Sequence, residues 1–158
     1  KFISCTPLGC LKILHYYNID IEGKDVVVVG RSNIVGKPIA SLLSQDSSYG
    51  NATVTLCHTR TKDLSSYTKK ADIIIAAVGV PNLINRDMIK EGVHIIDVGI
   101  NRVEDKRKEK GYRVVGDVDF EDILGKAASI TPVPGGVGVM TVTMLLSNTI
   151  DAAFNQIK

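Results

Sequence analysis

The sequence predicts a doubly wound α/β domain built on a mainly parallel sheet, and three observations carry that prediction. Val- and Ile-rich runs closed by glycine occur at residues 25–30, 72–79 and 93–99. Unbroken apolar strands of this kind are buried on both faces, as in a parallel sheet. Segments with apolar residues at helical spacing alternate with these runs, as crossover helices must. The length of 158 residues, with 44% hydrophobic and 23% charged composition, fits one ordinary domain rather than two. Right-handed crossovers then bring the C-terminal ends of the strands, and any ligand site, to one edge of the sheet.

In chain order, Thr6-Pro7 starts a helix in which Leu8, Leu11, Ile13, Leu14 and Tyr17 recur at helical spacing. Residues 18–24 are a mostly polar connection to the strand Asp25-Val26-Val27-Val28-Val29, which Gly30 ends. The next helix contains Pro38-Ile39-Ala40-Ser41-Leu42-Leu43. Proline suits a first turn, where its missing N–H has no partner to lose. Residues 52–57 read as a strand, 61–70 as a short helix or loop, 72–78 as a buried strand, 81–90 as a short helix and 93–98 as a strand. Residues 102–113 hold Arg102, Lys106, Arg107, Lys108, Lys110 and Arg113 against Glu104, Asp105 and Glu109, and read as a solvated hairpin or loop in preference to an anion or partner site. Val114-Val115 and Ala128-Ser129-Ile130 are short strands, and residues 139–157 the longest helix. The apolar residues of that helix cover a wider arc than one buried face requires. An exposed strip that includes Leu145, Leu146, Phe154 and Ile157 is therefore expected when these residues stand alone.

Nineteen Lys and Arg against 17 Asp and Glu give a net charge of +2, which excludes an extended basic nucleic-acid surface and an acidic disordered tail. Aromatics are 5% with no Trp, so no base-stacking surface is expected. The apolar runs at 26–30 and 73–78 stop well short of the roughly 18 residues of a membrane helix, and no signal peptide or membrane segment is expected. Cys5, Cys10 and Cys57 form no CxxC and have no His at zinc-like spacing. Free thiols in a reducing compartment, the cytoplasm, are the expectation. The chain opens at Lys1 rather than Met and reads as a piece of something longer.

The most informative stretch is Gly30-Arg31-Ser32-Asn33-Ile34-Val35-Gly36-Lys37-Pro38. It leaves a buried strand and opens a helix, where free backbone N–H groups and the helix dipole favour a pyrophosphate. A glycine turn without a ligand is the plainer alternative. A P-loop needs four residues between its glycine and Gly-Lys, then Ser or Thr. Five stand here and Pro38 occupies the hydroxyl position, which excludes it. The dinucleotide pattern Gly-x-Gly-x-x-Gly is imperfect: Ser32 replaces the middle glycine and Gly36 comes one residue late. A small serine still allows close backbone approach, and its hydroxyl can donate to a phosphate. NAD-preferring sites usually carry Asp or Glu after the next strand. This chain has Cys57-His58-Thr59-Arg60 there. A hydroxyl and two basic groups suit a 2′-phosphate assisted by Arg31, which favours NADP over NAD and counts against an S-adenosylmethionine methyltransferase. Plainer roles stand beside these: His58 as a half-buried scaffold residue, Arg31 as the partner of a carboxylate.

Four further runs, Ile96-Asp97-Val98-Gly99-Ile100-Asn101, Val115-Gly116-Asp117-Val118, Ile130-Thr131-Pro132-Val133-Pro134-Gly135-Gly136-Val137-Gly138 and Phe2-Ile3-Ser4-Cys5-Thr6-Pro7-Leu8-Gly9, join the glycine loop in chain order. Together they resemble the methylenetetrahydrofolate dehydrogenase/methenyltetrahydrofolate cyclohydrolase family over essentially the whole chain. The resemblance implies a Rossmann-like cofactor domain, one of two domains in that enzyme. It implies an NADP site at Gly30, Arg31 and Ser32, with contacts from Thr59 and Ile100. It also implies a folate substrate, namely tetrahydrofolate derivatives, oxidised by hydride transfer to the nicotinamide and then hydrolysed to 10-formyltetrahydrofolate. A homodimer is implied as well. Residues 132–138 border the cleft, where glycines permit close approach and prolines stiffen the path; Val133-Pro134 is a candidate cis bond.

Two departures stand out. Val139 replaces the proline with which the family continues after Gly-Val-Gly. The family's first domain, which holds a Tyr-x-x-x-Lys pair and the acid that grips the pterin, has no counterpart here. Four residues after each tyrosine stand Asp20, Ile21, Thr53, Ala71 and Gly116, none a lysine. The reading is therefore residues 1–158 as the NAD(P)-binding domain, no catalytic residue in the chain, and residues 1–18 and 139–158 as helices linking it to the absent domain. The rivals are a stand-alone, non-catalytic NADP-binding module and an unrelated Rossmann dehydrogenase, which has no reason to carry the 132–138 run.

Overall fold

The computed structural model describes residues 2–157, without the side chain of Ile157. Five strands, β1 (Asp25–Val29), β2 (Thr53–Cys57), β3 (Ile73–Ala76), β4 (His94–Asp97) and β7 (Ser129–Ile130), form one sheet in the order β2-β1-β3-β4-β7. Every pairing in it is parallel. The chain steps from β1 out to β2 and then back across to β3, so the winding reverses between β1 and β3. A separate antiparallel hairpin joins β5 (Asn101–Glu104) to β6 (Tyr112–Val115), with Asn101 opposite Val115, as the charge-dense stretch predicts.

The two-residue period of a strand sends alternate side chains to opposite faces. Val26, Val28, Ile73, Ile75 and Ile96 meet α1 (Cys5–Tyr16) and α2 (Gly36–Leu43) through Leu14, Ile39 and Leu43. Val27, Val29, Ile74, Ala76 and Ile95 face the other way, onto Ile84, Ile89, Val118 and Ile123. At about 1.5–3 kcal/mol for each fully buried Val, Leu or Ile, these two layers are the main source of stability. The second layer is thin, made of α3 (Leu64–Thr68), a 3-10 turn (Arg86–Met88) and α4 (Phe120–Ile123).

Three elements differ from the sequence prediction. The helix expected over residues 81–90 is reduced to the 3-10 turn. Asn82 takes a left-handed φ of 52°, Ile84 bridges Val118, and the Asn85 side chain accepts from Asp87 N. These bonds draw the segment out along the sheet. The four residues of α4, capped by Asp119, are too few to show a period. The last helix, α5 (Val137–Ile157), begins two residues before the expected start at 139.

Helix α5 lies against α1. Gly9 makes room for it, since a Cβ there would stand 3.2 Å from Met140 Cβ. Thr141 Oγ1 donates to Thr6 Oγ1 at 3.0 Å and Asn148 Nδ2 to the Ile3 carbonyl at 3.0 Å. Of its side chains, Val137 and Met144 are buried. Leu145, Leu146 and Phe154 are 55%, 61% and 65% exposed, as the wide apolar arc predicts, and Val139, Val142 and Ile150 join them; Ile157 lies outside the described side chains. Among the described residues this helix, over Val137–Gln156 with a mean hydropathy of 1.4, is long and apolar enough by length and composition to cross a bilayer. Uninterrupted apolar runs do not reveal it, because Thr, Ser, Asn and Asp break the run along the helix. Contiguous exposed apolar area drives association. Leu146→Gln combined with Phe154→Gln is expected to reduce concentration-dependent self-association of the chain in sedimentation velocity while leaving Tm within about 2 °C, because surface substitutions change stability little.

Candidate functional site

All five parallel strands end on one edge, and the reversal between β1 and β3 opens a crevice there. Gly30 leaves β1 with φ +126°, and a Cβ on it would strike the Ala77 carbonyl of the loop after β3. Gly36 is equally confined, its Cβ direction filled by the Gly30 carbonyl. The Ser32 hydroxyl oxygen accepts from Val35 N at 3.1 Å and Gly36 N at 3.2 Å, so it caps α2 and keeps its own proton to donate outward. The N–H groups of Arg31, Ser32, Asn33 and Ile34 have no acceptor among the described residues. Arg31 and Ser32 are exposed.

The end of β2 lies at the same level, with Gly30 N donating to the Cys57 carbonyl at 2.9 Å. The turn that follows is tied by its own side chains: His58 N donates to Thr61 Oγ1 at 2.9 Å and Arg60 N to His58 Nδ1 at 3.1 Å. His58 is thus half-buried and holds the turn, while Thr59 and Arg60 are exposed beside the glycine loop. No carboxylate occupies residues 58–61. Burial raises the Cys57 thiol pKa and pushes Cys10 up to about 12, so both are inert thiols.

Beyond β3 the edge is organised by two buried carboxylates. Asp97, 2% exposed, accepts Gly99 N at 2.9 Å and Asp117 N at 3.0 Å on Oδ1, and Val118 N at 3.0 Å on Oδ2. Thr131 Oγ1 accepts Asp97 N at 2.8 Å and joins β7 to the end of β4. Asp117 accepts Val78 N at 2.6 Å and Gly79 N at 2.9 Å on Oδ2, and Asn101 Nδ2 at 2.9 Å on Oδ1. Gly99 and Gly116 face these carboxylates so closely that a Cβ on either would collide with them. Ile100, 68% exposed, borders a cavity of about 210 Å³ between residues 97–100 and residues 132–139, where Val133-Pro134 is cis as expected. A larger hollow, about 860 Å³, lies between α1, α5 and the edge strand β7. None of the glycine-loop residues lines it, and its lining is mainly apolar.

A dinucleotide fits this edge. The glycine loop leaves backbone space and unpaired N–H groups for a pyrophosphate, and the end of β2 offers a hydroxyl and one guanidinium, Arg60, where a 2′-phosphate would lie. The family model for the tetrahydrofolate dehydrogenase/cyclohydrolase NAD(P)-binding domain matches residues 4–157. The chain belongs to that family. It is 59% identical over 149 residues to the bifunctional protein FolD of Chloroherpeton thalassium, covering 94% of this chain and 51% of that protein. It resembles the crystal structure of the bifunctional FolD enzyme of Campylobacter jejuni at 55% identity and TM-score 0.88, over 98% of this chain and 51% of that one. The Trypanosoma brucei FolD structure, complexed with NADP cofactor and inhibitor, is 42% identical with TM-score 0.90, over 98% of this chain and 51% of that one. The chain thus spans about half the length of the relatives it matches.

The fold gathers Gly30, Arg31, Ser32 and Thr59 at the ends of β1 and β2, and sets Ile100 apart, across the β3 loop. In this tetrahydrofolate dehydrogenase/cyclohydrolase domain, sequence reasoning missed the roles of Asp97, Asp117 and Asn101. The signal available was an Asp before a Val-Gly pair and another after Gly116, both acids in apolar surroundings. Desolvation raises the Asp97 carboxyl to about 6 from its ordinary 3.8, and the Asp117 charge adds to it, while the three N–H donors pull the other way. Because the folded-state value is the higher, this group's contribution to stability is full below about pH 4 and is lost as pH rises through 6. About two pH units at 1.36 kcal/mol each set the loss at roughly 2–3 kcal/mol. Urea unfolding between pH 4 and pH 7 is expected to show that loss in the wild-type chain and not in Asp97→Asn.

Proposed function

We propose that this chain is the cofactor-binding half of an enzyme that oxidises 5,10-methylenetetrahydrofolate to 5,10-methenyltetrahydrofolate with NADP and hydrolyses the product to 10-formyltetrahydrofolate. Gly30, Arg31, Ser32, Thr59 and Ile100 are the residues assigned to the cofactor. Bound there, NADP accepts the hydride. The backbone N–H groups of residues 31–34 and the Ser32 hydroxyl hold the pyrophosphate. Arg31, with Thr59 and Arg60, takes the 2′-phosphate. Ile100 and residues 132–138 wall the cleft against water. The observation that carries this reading is the acid-free end of β2 beside an open glycine loop, in a chain 42% identical to a FolD crystallised with NADP.

The rest of the parent enzyme belongs to the same proposal. A second domain supplies the catalytic lysine and the pterin-gripping acid, and the segments 1–18 and 139–158 link the two. The assembly is a homodimer in the cytoplasm, without a membrane or nucleic-acid partner. Family membership and half-length coverage support this reading over a stand-alone NADP-binding module.

Two measurements test it. Each charge-assisted contact to a 2′-phosphate is worth roughly 1.5–3 kcal/mol, so calorimetry is expected to show NADP bound at least about tenfold more tightly than NAD. Arg31→Ala is expected to remove most of that difference; equal weakening of both cofactors would place Arg31 on the shared pyrophosphate instead. The 158-residue chain is also expected to turn over no methylenetetrahydrofolate in an NADPH-absorbance assay. A rate near that of an intact family enzyme would show that the acid/base groups lie within these residues.

A further inference from the structure

A dinucleotide in a doubly wound sheet lies across the switch point with its two halves on opposite sides. The glycine loop and the end of β2 make one side here. The other side is made by residues 77–80 after β3 and 98–101 after β4, which carry no charged side chain. Gly79, Val80 and Ile100 are exposed, so apolar packing holds these loops mainly through the partly buried Val78 and Val98. Two carboxylates hold them: Asp97 takes Gly99 N at 2.9 Å within its own loop, and Asp117 alone takes donors from both loops. Asp117 is fully buried; it receives Val78 N at 2.6 Å and Gly79 N at 2.9 Å on one oxygen and the Asn101 amide at 2.9 Å on the other. Gly99 is pressed against the same carboxylate, with no room for a Cβ. Asp117 is itself held through its N–H by Asp97.

Charge-assisted bonds to a carboxylate are shorter and stronger than neutral ones. Burying such a group is costly unless it is fully bonded. Both oxygens of Asp117 are used, and all three of their donors belong to the crevice loops. The start of the β3 loop is secured separately: Ala77 N donates to the Val29 carbonyl at 2.8 Å within the sheet, so the wall against Gly30 does not depend on Asp117. Resting on the NADP reading above, we infer that Asp117, with Asn101, is a positioning residue that shapes the seat of the nicotinamide half of the cofactor, acting through Val78, Gly79 and the 98–101 loop without touching the ligand.

Calorimetry with two probes separates this role from general support of the fold: NADP, which spans the crevice, and adenosine 2′,5′-bisphosphate, which fills only the adenosine side. Asp117→Ala is expected to weaken NADP at least tenfold and the bisphosphate by less than twofold. Asp117→Asn, which keeps an acceptor for Val78 and Gly79, is expected to return NADP to within about threefold of wild type. Should Asp117→Ala fail to fold, Asn101→Ala carries the test, with NADP weakened threefold or more and the bisphosphate unchanged. Equal weakening of both probes, or unchanged NADP affinity in the variants that fold, overturns the inference. Failure of the wild-type chain to bind either probe overturns the NADP reading itself, a result distinct from both.

Discussion

The Asp97 carboxylate is the constraint on which the C-terminal edge of the sheet depends. It stands at the end of β4 in surroundings dry enough to lift its pKa, and it satisfies backbone donors from both its own loop and the segment that returns from the hairpin. Those bonds bring residues 116–118 back to the sheet after the excursion through β5 and β6. With Asp117 set in place, its own carboxylate reaches the β3 loop. Remove the first acid and Gly99, Asp117 and Val118 lose their acceptor together. An unpaired buried N–H costs about 1–3 kcal/mol, so the arrangement is cooperative: each carboxylate is tolerable only because the donors around it are complete.

The sheet's two faces are covered unequally, and that inequality shapes the outside of the molecule. One face has α1 and α2 over it, with α5 laid along α1. The other has only short pieces held by Ile84, Ile89 and Ile123. Helix α5 lies mainly outside α1, touching it through Thr141 and Met140 and the segment before it through Asn148, while its far side carries Leu145, Leu146 and Phe154 into solvent. A hydrophobic stripe broader than one contact is a property of the helix alone, but which part of it stays exposed depends on what it packs against, α1 along its length and the core beside the sheet at Val137.

The glycine loop works by subtraction. Gly30 and Gly36 carry no side chain where the Ala77 and Gly30 carbonyls pass, and Ser32 turns its oxygen inward to Val35 and Gly36. What remains at the crevice is backbone N–H and one hydroxyl proton, with Arg31 exposed beside them. The same economy holds at the end of β2, where His58 is spent on holding its turn and Thr59 and Arg60 are left free.

Periodicity and punctuation determined the strands, their burial on both faces, the hairpin and the long final helix, because a run such as Asp25-Val26-Val27-Val28-Val29-Gly30 has one low-energy reading. The same residues placed the glycine loop and the acid-free strand end, since that chemistry is local in sequence. Residues 81–90 depart from their local helical pattern because Ile84 answers to Val118, 34 positions away, and no local pattern records a bridge of that span. The pairing of Asp97 with Asp117 belongs to the same class: two acids 20 residues apart meet only when the hairpin folds back. The sequence by itself determined which residues are apolar, which turns need glycine and where an anion is welcome. Which buried acid holds which loop, and which face of α5 meets solvent, came from packing, because both depend on contacts and desolvation between segments far apart in the chain.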